Sequence, residues 1–162
     1  MMDATNAVID GRRSFEDAVR AALAEAAAAG WRELFWCDVD FANWPIGERA
    51  VVESLEQWVG SHRRLTLVAL HYDALVKQHP RWVRWRNLWA HAVQCRVATE
   101  IAADDMPVLL LAAGALTLQL DDPVRFRGRV SREAAAGVHA REKVDAILQR
   151  SEEALPVTTL GL

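Results

Sequence analysis

Lysine, tyrosine and cysteine are scarce in this chain: two lysines, one tyrosine and two cysteines among 162 residues. Cys37 and Cys95 lie far apart with no Cys-x-x-Cys spacing. That excludes a disulfide framework and leaves two free, buried thiols as the economical reading. Five prolines and eight glycines are too few for a collagen-like or low-complexity chain, and no Pro/Gly/Ser-rich linker divides it. The longest apolar stretch, residues 108–120, is interrupted by Gly114, Thr117 and Gln119. It is too short for a membrane helix of ~20 residues, so no membrane span is expected. The first residues have no basic cluster and no apolar segment, so a secretory signal is not read and a cytoplasmic location is expected. P-loop, GxGxxG and GxSxG motifs are all missing. No cofactor is expected.

What is present describes one globular unit. A content of 52% apolar and 25% charged residues excludes disorder. The length suits a single domain with one substantial core. A net charge of -3 and a pI near 5.9 argue against a dedicated nucleic-acid binder. Charge is uneven, however: residues 62–100 hold seven basic groups against two acidic ones, the only electrostatic feature that marks a partner. Arginine far outnumbers lysine and alanine abounds, a compositional hint of a GC-rich bacterial genome.

Hydrophobic periodicity divides the chain into a polar lead (1–13), an α/β domain (14–155) and a tail (156–162). Ser14 reads as the N-cap of a helix over 15–29 that Gly30 stops. Residues 34–41 and 65–70 read as buried strands, with a helix over 46–59 between them. That order implies a parallel pair joined by a crossover. A short helical turn over 73–78 precedes a helix from Pro80 to about Val93. Strands follow at about 95–101, 107–112 and 115–120. Residues 124–130 read as an edge strand with Arg125, Arg127 and Arg129 on one face. Ser131 then caps a last helix reaching about Glu153.

Asp38 and Asp40 stand two apart at the carboxyl end of the first buried strand, and period 2 places them on one face. His71, Tyr72 and Asp73 follow the second strand and open onto the same edge. Ligands of open α/β sheets bind outside such strand ends. The expected cleft is lined by Asp38, Asp40, Asn43, Trp44, His71, Tyr72 and Asp73, with Arg81, Arg84 and Arg86 nearby. The plainer alternative is that Asp38, Asp40 and Asp73 cap their own loops. Trp82, Trp85 and Trp89 fall on one helical stripe bordered by Arg86, with Arg84 and His91 on the other side. That stripe reads first as a core seam, and otherwise as the surface of a structural adaptor. The five histidines form no metal-ligand pattern, and no metal site is expected.

Asp38-x-Asp40 resembles the first motif of haloacid-dehalogenase-type phosphatases, and Asp121-Asp122 their last acidic pair. The resemblance implies a Mg²⁺-dependent phosphoester hydrolase with Asp38 as nucleophile and Asp40 as general acid. Leu70-His71 stands where that family ends its second strand in Ser or Thr, and Pro123 follows the acidic pair.

Over residues 14–155 the element order resembles one half of a phospholipase D-like domain of a proteobacterial type. The likeness is carried by Glu33-Leu34-Phe35-Trp36-Cys37-Asp38-Val39-Asp40, by Arg64-Leu65-Thr66-Leu67-Val68-Ala69-Leu70 and by Gln149-Arg150-Ser151-Glu152-Glu153 with Leu160-Gly161-Leu162. It implies an α/β fold with a single mixed sheet and helices on both faces. Active members of that family use His-x-Lys and a following aspartate on a central strand. The corresponding residues 106–119 contain neither histidine nor lysine, and His-x-Lys occurs nowhere in the chain. The resemblance therefore implies the scaffold without the phosphodiesterase. The expected function is non-catalytic binding of an anionic, phosphate-bearing small molecule or a protein partner, with nucleic acid disfavoured. Since active members pair two halves, a homodimer is expected.

Overall fold

The computed structural model describes residues 6–156. In chain order its elements are β1 (Asn6–Asp10), α1 (Arg12–Ala29), β2 (Glu33–Cys37), α2 (Arg49–Trp58), β3 (Arg64–Ala69), α3 (Asp73–Gln78), α4 (Pro80–Leu88), β4 (Val93–Ala98), β5 (Val108–Ala112), β6 (Leu116–Asp122), β7 (Arg127–Ser131), α5 (Ala134–Leu148) and β8 (Ser151–Glu153). The strands form one sheet in the order β1-β7-β6-β5-β2-β3-β4-β8. β2, β3 and β4 run parallel, with Leu34 beside Leu65 and Leu65 beside Val93. The other pairings are antiparallel.

β2, β3 and β5 are apolar nearly throughout because helices cover both faces. One face meets α1, α2 and α4. The α1 stripe of Phe15, Val19, Ala22, Leu23 and Ala26 recurs at helical spacing and is buried there, as are Val51, Leu55 and Trp58 of α2. The other face meets α5, whose Ala140, Val144 and Ile147 pack on Phe35, Cys37, Val68, Leu109 and Leu111. The expected fold class holds: α/β, one mixed sheet, helices on both faces. Both cysteines are free and buried, as the spacing predicts. No helix of the described residues is long and apolar enough to cross a membrane.

Several boundaries differ for identifiable reasons. Residues 6–10, inside the expected polar lead, form β1, paired with β7. Only Ile9 of the five is buried, so there is no alternation to read. β7 is therefore not an edge strand. Gly128 lets it approach β6 closely, since a Cβ there would run into the Gln119 carbonyl. Residues 123–126 are a turn, and Arg125 belongs to it. α1 begins at Arg12, because Gly11 (φ 104°) turns the chain straight out of β1. Ser14 does not cap the helix; its hydroxyl accepts the Asp10 N–H instead.

β2 stops at Cys37, and α4 at Leu88. Ser131 ends β7, and α5 starts three residues later. α5 stops at Leu148, where the Ser151 hydroxyl donates to the Leu148 carbonyl at 2.6 Å. Arg96 then fixes β8, donating from Nε to Ser151 Oγ at 2.6 Å and from Nη2 to Ser151 O at 2.7 Å. The expected tail lies outside the described residues except for Pro156.

Candidate functional site

The carboxyl ends of β2 and β3 do bring their loops together. Val39 O accepts N–H groups from both Leu70 and His71, at 2.9 and 3.2 Å. Asp38, Asp40, His71 and Asp73 thus stand on adjoining loops. Their chemistry differs from that of an open cleft. Asp38 Oδ2 accepts the Phe41 N–H at 2.8 Å, and Asp40 Oδ1 the Ala42 N–H at 3.0 Å. Both carboxylates brace a turn in which Phe41 takes φ 60°. Burial pushes the Asp38 carboxyl up to about 6; backbone N–H groups oppose that rise and the Asp40 charge adds to it. The turn swings Phe41 and Trp44 inward. Trp44 is 2% exposed and packs edge-on against Phe41 and Phe15, with ring centroids 5.0 and 5.7 Å apart. It is core, not the cleft wall expected from its place in the loop, because the apolar area of an indole outweighs its one polar group.

Tyr72 is also turned away. Its hydroxyl donates to Arg96 O at 2.6 Å and accepts the Arg96 N–H at 3.1 Å, tying α3 to β4. Burial holds its phenol well above the ordinary range. His79, one of the five histidines without a metal-ligand pattern, was not among the expected cleft residues. It is buried, and its Nε2 lies 2.9 Å from Phe41 O. A carbonyl only accepts, so Nε2 carries the proton. Burial lowers the His79 pKa, which keeps the ring neutral. A Cβ on Gly47 would meet His79, so the turn and the start of α4 fit closely. Arg81 reinforces this fit by donating to Gly47 O at 2.9 Å. Asn43, His71 and Asp73 remain exposed on this edge, and Arg84 is exposed on α4.

Arg86 lies apart from this set. It is buried, lies against Cys95 and lines a pocket at the amino ends of β3 and β4, away from the Asp38 turn. That pocket measures about 620 Å³. A second, of about 410 Å³, lies beside α5 and is lined by Thr117, Gln119, Arg129, Ser131, Glu133 and His139 among others. Neither is lined by Asp38, Asp40 or His71. Arg86 was expected beside the cleft; it is buried instead, at the opposite end of the strands.

The stripe itself is a core seam. Trp82 and Trp85 are buried, and Trp85 and half-buried Trp89 both donate their indole N–H to Glu56 Oε2, each at 3.0 Å. Within the basic middle of the chain Arg64, Lys77 and Arg84 are exposed, while other basic groups are engaged by the protein itself. Arg63 donates to Trp58 O, Arg81 to Gly47 O and Arg96 to Ser151, while Arg86 is buried. Arg127 and Arg129 on β7 stand beside Asp10 and Asp121 at 3.4 and 3.9 Å. Asp122 accepts two hydrogen bonds from Arg125 and holds the β6–β7 turn. Among the described residues, no three His, Cys, Asp or Glu side chains gather as a metal site.

No protein-family model matches the chain, and no curated protein matches it in sequence. Solved structures do match. TrmBL2, an archaeal chromatin protein described as showing a novel mode of DNA binding, superposes with a TM-score of 0.61 at 10% identity, over 93% of this chain and 54% of its own. The chain thus spans about half the length of TrmBL2. NucT from Helicobacter pylori matches with a TM-score of 0.59 at 6% identity, over 92% of this chain and 98% of its own. Nuc from Salmonella typhimurium, a phospholipase D family member, gives 0.55 at 8% identity, over 93% and 99%. Identities this low speak for the fold alone, and the fold is phospholipase D-like.

Proposed function

We propose that this chain is a non-catalytic domain of phospholipase D-like fold that binds a phosphate-bearing ligand in the cytoplasm as a homodimer. The observation that carries the reading is the make-up of residues 106–119. The family resemblance puts the catalytic His-x-Lys there. This chain has the β5–β6 hairpin instead, with Met106, Val108, Leu109, Leu110 and Leu111 buried in the two cores. None of these side chains can attack phosphorus or clamp a phosphodiester.

The Mg²⁺-hydrolase alternative loses support from the Asp38 and Asp40 carboxylates, which are occupied with their own loop. The adaptor alternative loses support from the burial of Trp82 and Trp85. DNA binding, as described for TrmBL2, is disfavoured by the net charge of -3. The reading is tested by incubating the full chain with bis(p-nitrophenyl) phosphate and with single-stranded DNA, with and without Mg²⁺. No turnover above buffer is expected. Hydrolysis that Asp38→Asn abolishes would defeat it.

A further inference from the structure

We infer that the pocket at the amino ends of β3 and β4 binds a small molecule carrying a carboxylate or phosphate group, held by the guanidinium of Arg86. The pocket, about 620 Å³, has the size of a small-ligand site. Arg86 lines it and is 5% exposed, yet its Nε and Nη1 have no hydrogen-bond partner among the described residues. Buried polar groups in native proteins are almost always paired, and a guanidinium cannot escape by losing its proton. Nε and Nη1 are fully enclosed, as are the unpaired indole nitrogens of Trp36, Trp44 and Trp82; what sets Arg86 apart is its fixed charge and its place on the pocket wall, where an acceptor meets the guanidinium at its pocket-facing edge.

The groups around it do not meet that demand. The Cys95 thiol shares a hydrogen bond with Arg86, a weak contact to a neutral sulfur; burial pushes that thiol up to about 11, and the Arg86 charge and hydrogen bond only partly offset the rise. Glu56, on the facing helix α2, directs its Oε2 to the indoles of Trp85 and Trp89. Glu153 sits on the pocket's rim and is exposed. The remaining polar lining suits an anion: Arg64 at the start of β3, Gln94 on β4 and His91. A carboxylate or phosphate oxygen in contact with the guanidinium forms a charge-assisted hydrogen bond, the strongest kind available to arginine.

This deepens the ligand-binding reading by placing the anion, and the two fail separately. Phosphodiesterase turnover would defeat the non-catalytic reading and leave this site standing. Failure of anion binding defeats the site alone. The experiment is a thermal and calorimetric titration of the full chain with inorganic phosphate and, separately, citrate, at fixed ionic strength. The expected result is saturable binding of at least one, with a tenfold excess over Kd raising Tm by roughly 3–5 °C. Whichever anion binds names the class.

Arg86→Met should weaken binding by at least about tenfold, the loss of one charge-assisted contact, while melting no lower than the parent without anion. Arg64→Gln, at an exposed position, should weaken binding severalfold and keeps the test open if Arg86→Met does not fold. Arg84→Gln should leave binding unchanged. The inference is overturned if neither anion binds saturably, if binding survives in both pocket variants, or if Arg86→Met merely lowers Tm with no anion response in the parent.

Discussion

The two ends of the parallel strands handle polar groups in opposite ways. At the carboxyl end, Asp38, Asp40, Tyr72, His79 and Arg81 crowd into loops and nearly all find partners within the protein. At the amino end, Arg86 is buried with two nitrogens unpaired. The charged and hydroxyl groups of the carboxyl end are the more self-contained, the indole nitrogen of buried Trp44 being unpaired there. A hydrogen bond between two protein groups completes a fold and leaves nothing for a ligand, whereas a buried donor without an acceptor costs stability until something binds. The density of polar residues is therefore a poorer guide to a site than the number left unsatisfied.

That contrast can be broken at the carboxyl end, starting with the largest effect. Trp44→Ala should cost about 3–5 kcal/mol in urea unfolding, the usual range for a buried tryptophan. A loss below ~1 kcal/mol would mean the indole faces an open cleft after all. Next comes pH. The folded Asp38 carboxyl titrates near 6 against an ordinary 3.8, so the folded state holds a proton that the unfolded chain releases. Its favourable contribution is complete below about pH 4 and is lost as pH rises towards 6, by up to about 3 kcal/mol. Asp38→Asn keeps an oxygen for the Phe41 N–H, so it should flatten this slope and stabilise the protein at pH 7. An unchanged slope would show the carboxylate to be well solvated. The smallest effect belongs to Tyr72→Phe. It strands the Arg96 N–H and should cost about 1–3 kcal/mol, with exposed Arg84→Ala inside ±0.5 kcal/mol as the comparison.

Much of the central fold was legible because its physics is local. The apolar runs at residues 34–37 and 65–69 announce strands covered on both sides, and the helix between them dictates that they lie parallel. The tryptophan stripe showed its buried face through spacing alone. The outer strands were illegible for the same reason in reverse. β1 buries only Ile9, and the three residues of β8 continue a polar stretch that helical period carries on without a break. Within the candidate site, chain position brought the Asp38 and His71 loops together correctly. It could not separate Trp44, drawn into the core, from Asn43, left outside, since both follow the same turn. Nor does spacing reveal whether a buried arginine has an acceptor, because that depends on residues remote in the chain.

The pairing of β1 with β7 also sets an order of events. Asn6 lies beside Ser131, so β1 must wait for a partner that is made 125 residues later. At translation rates of about 5–20 residues per second, that is a delay of roughly 6–25 s. During this interval β2, β3 and β4 can pair with one another, while β1 exposes an unpaired backbone edge. A strand with four of its five residues exposed, closed by Asp10, is poor bait for other nascent chains. The feature that hid β1 from a reading of hydrophobic pattern is thus what keeps it safe until the sheet can accept it.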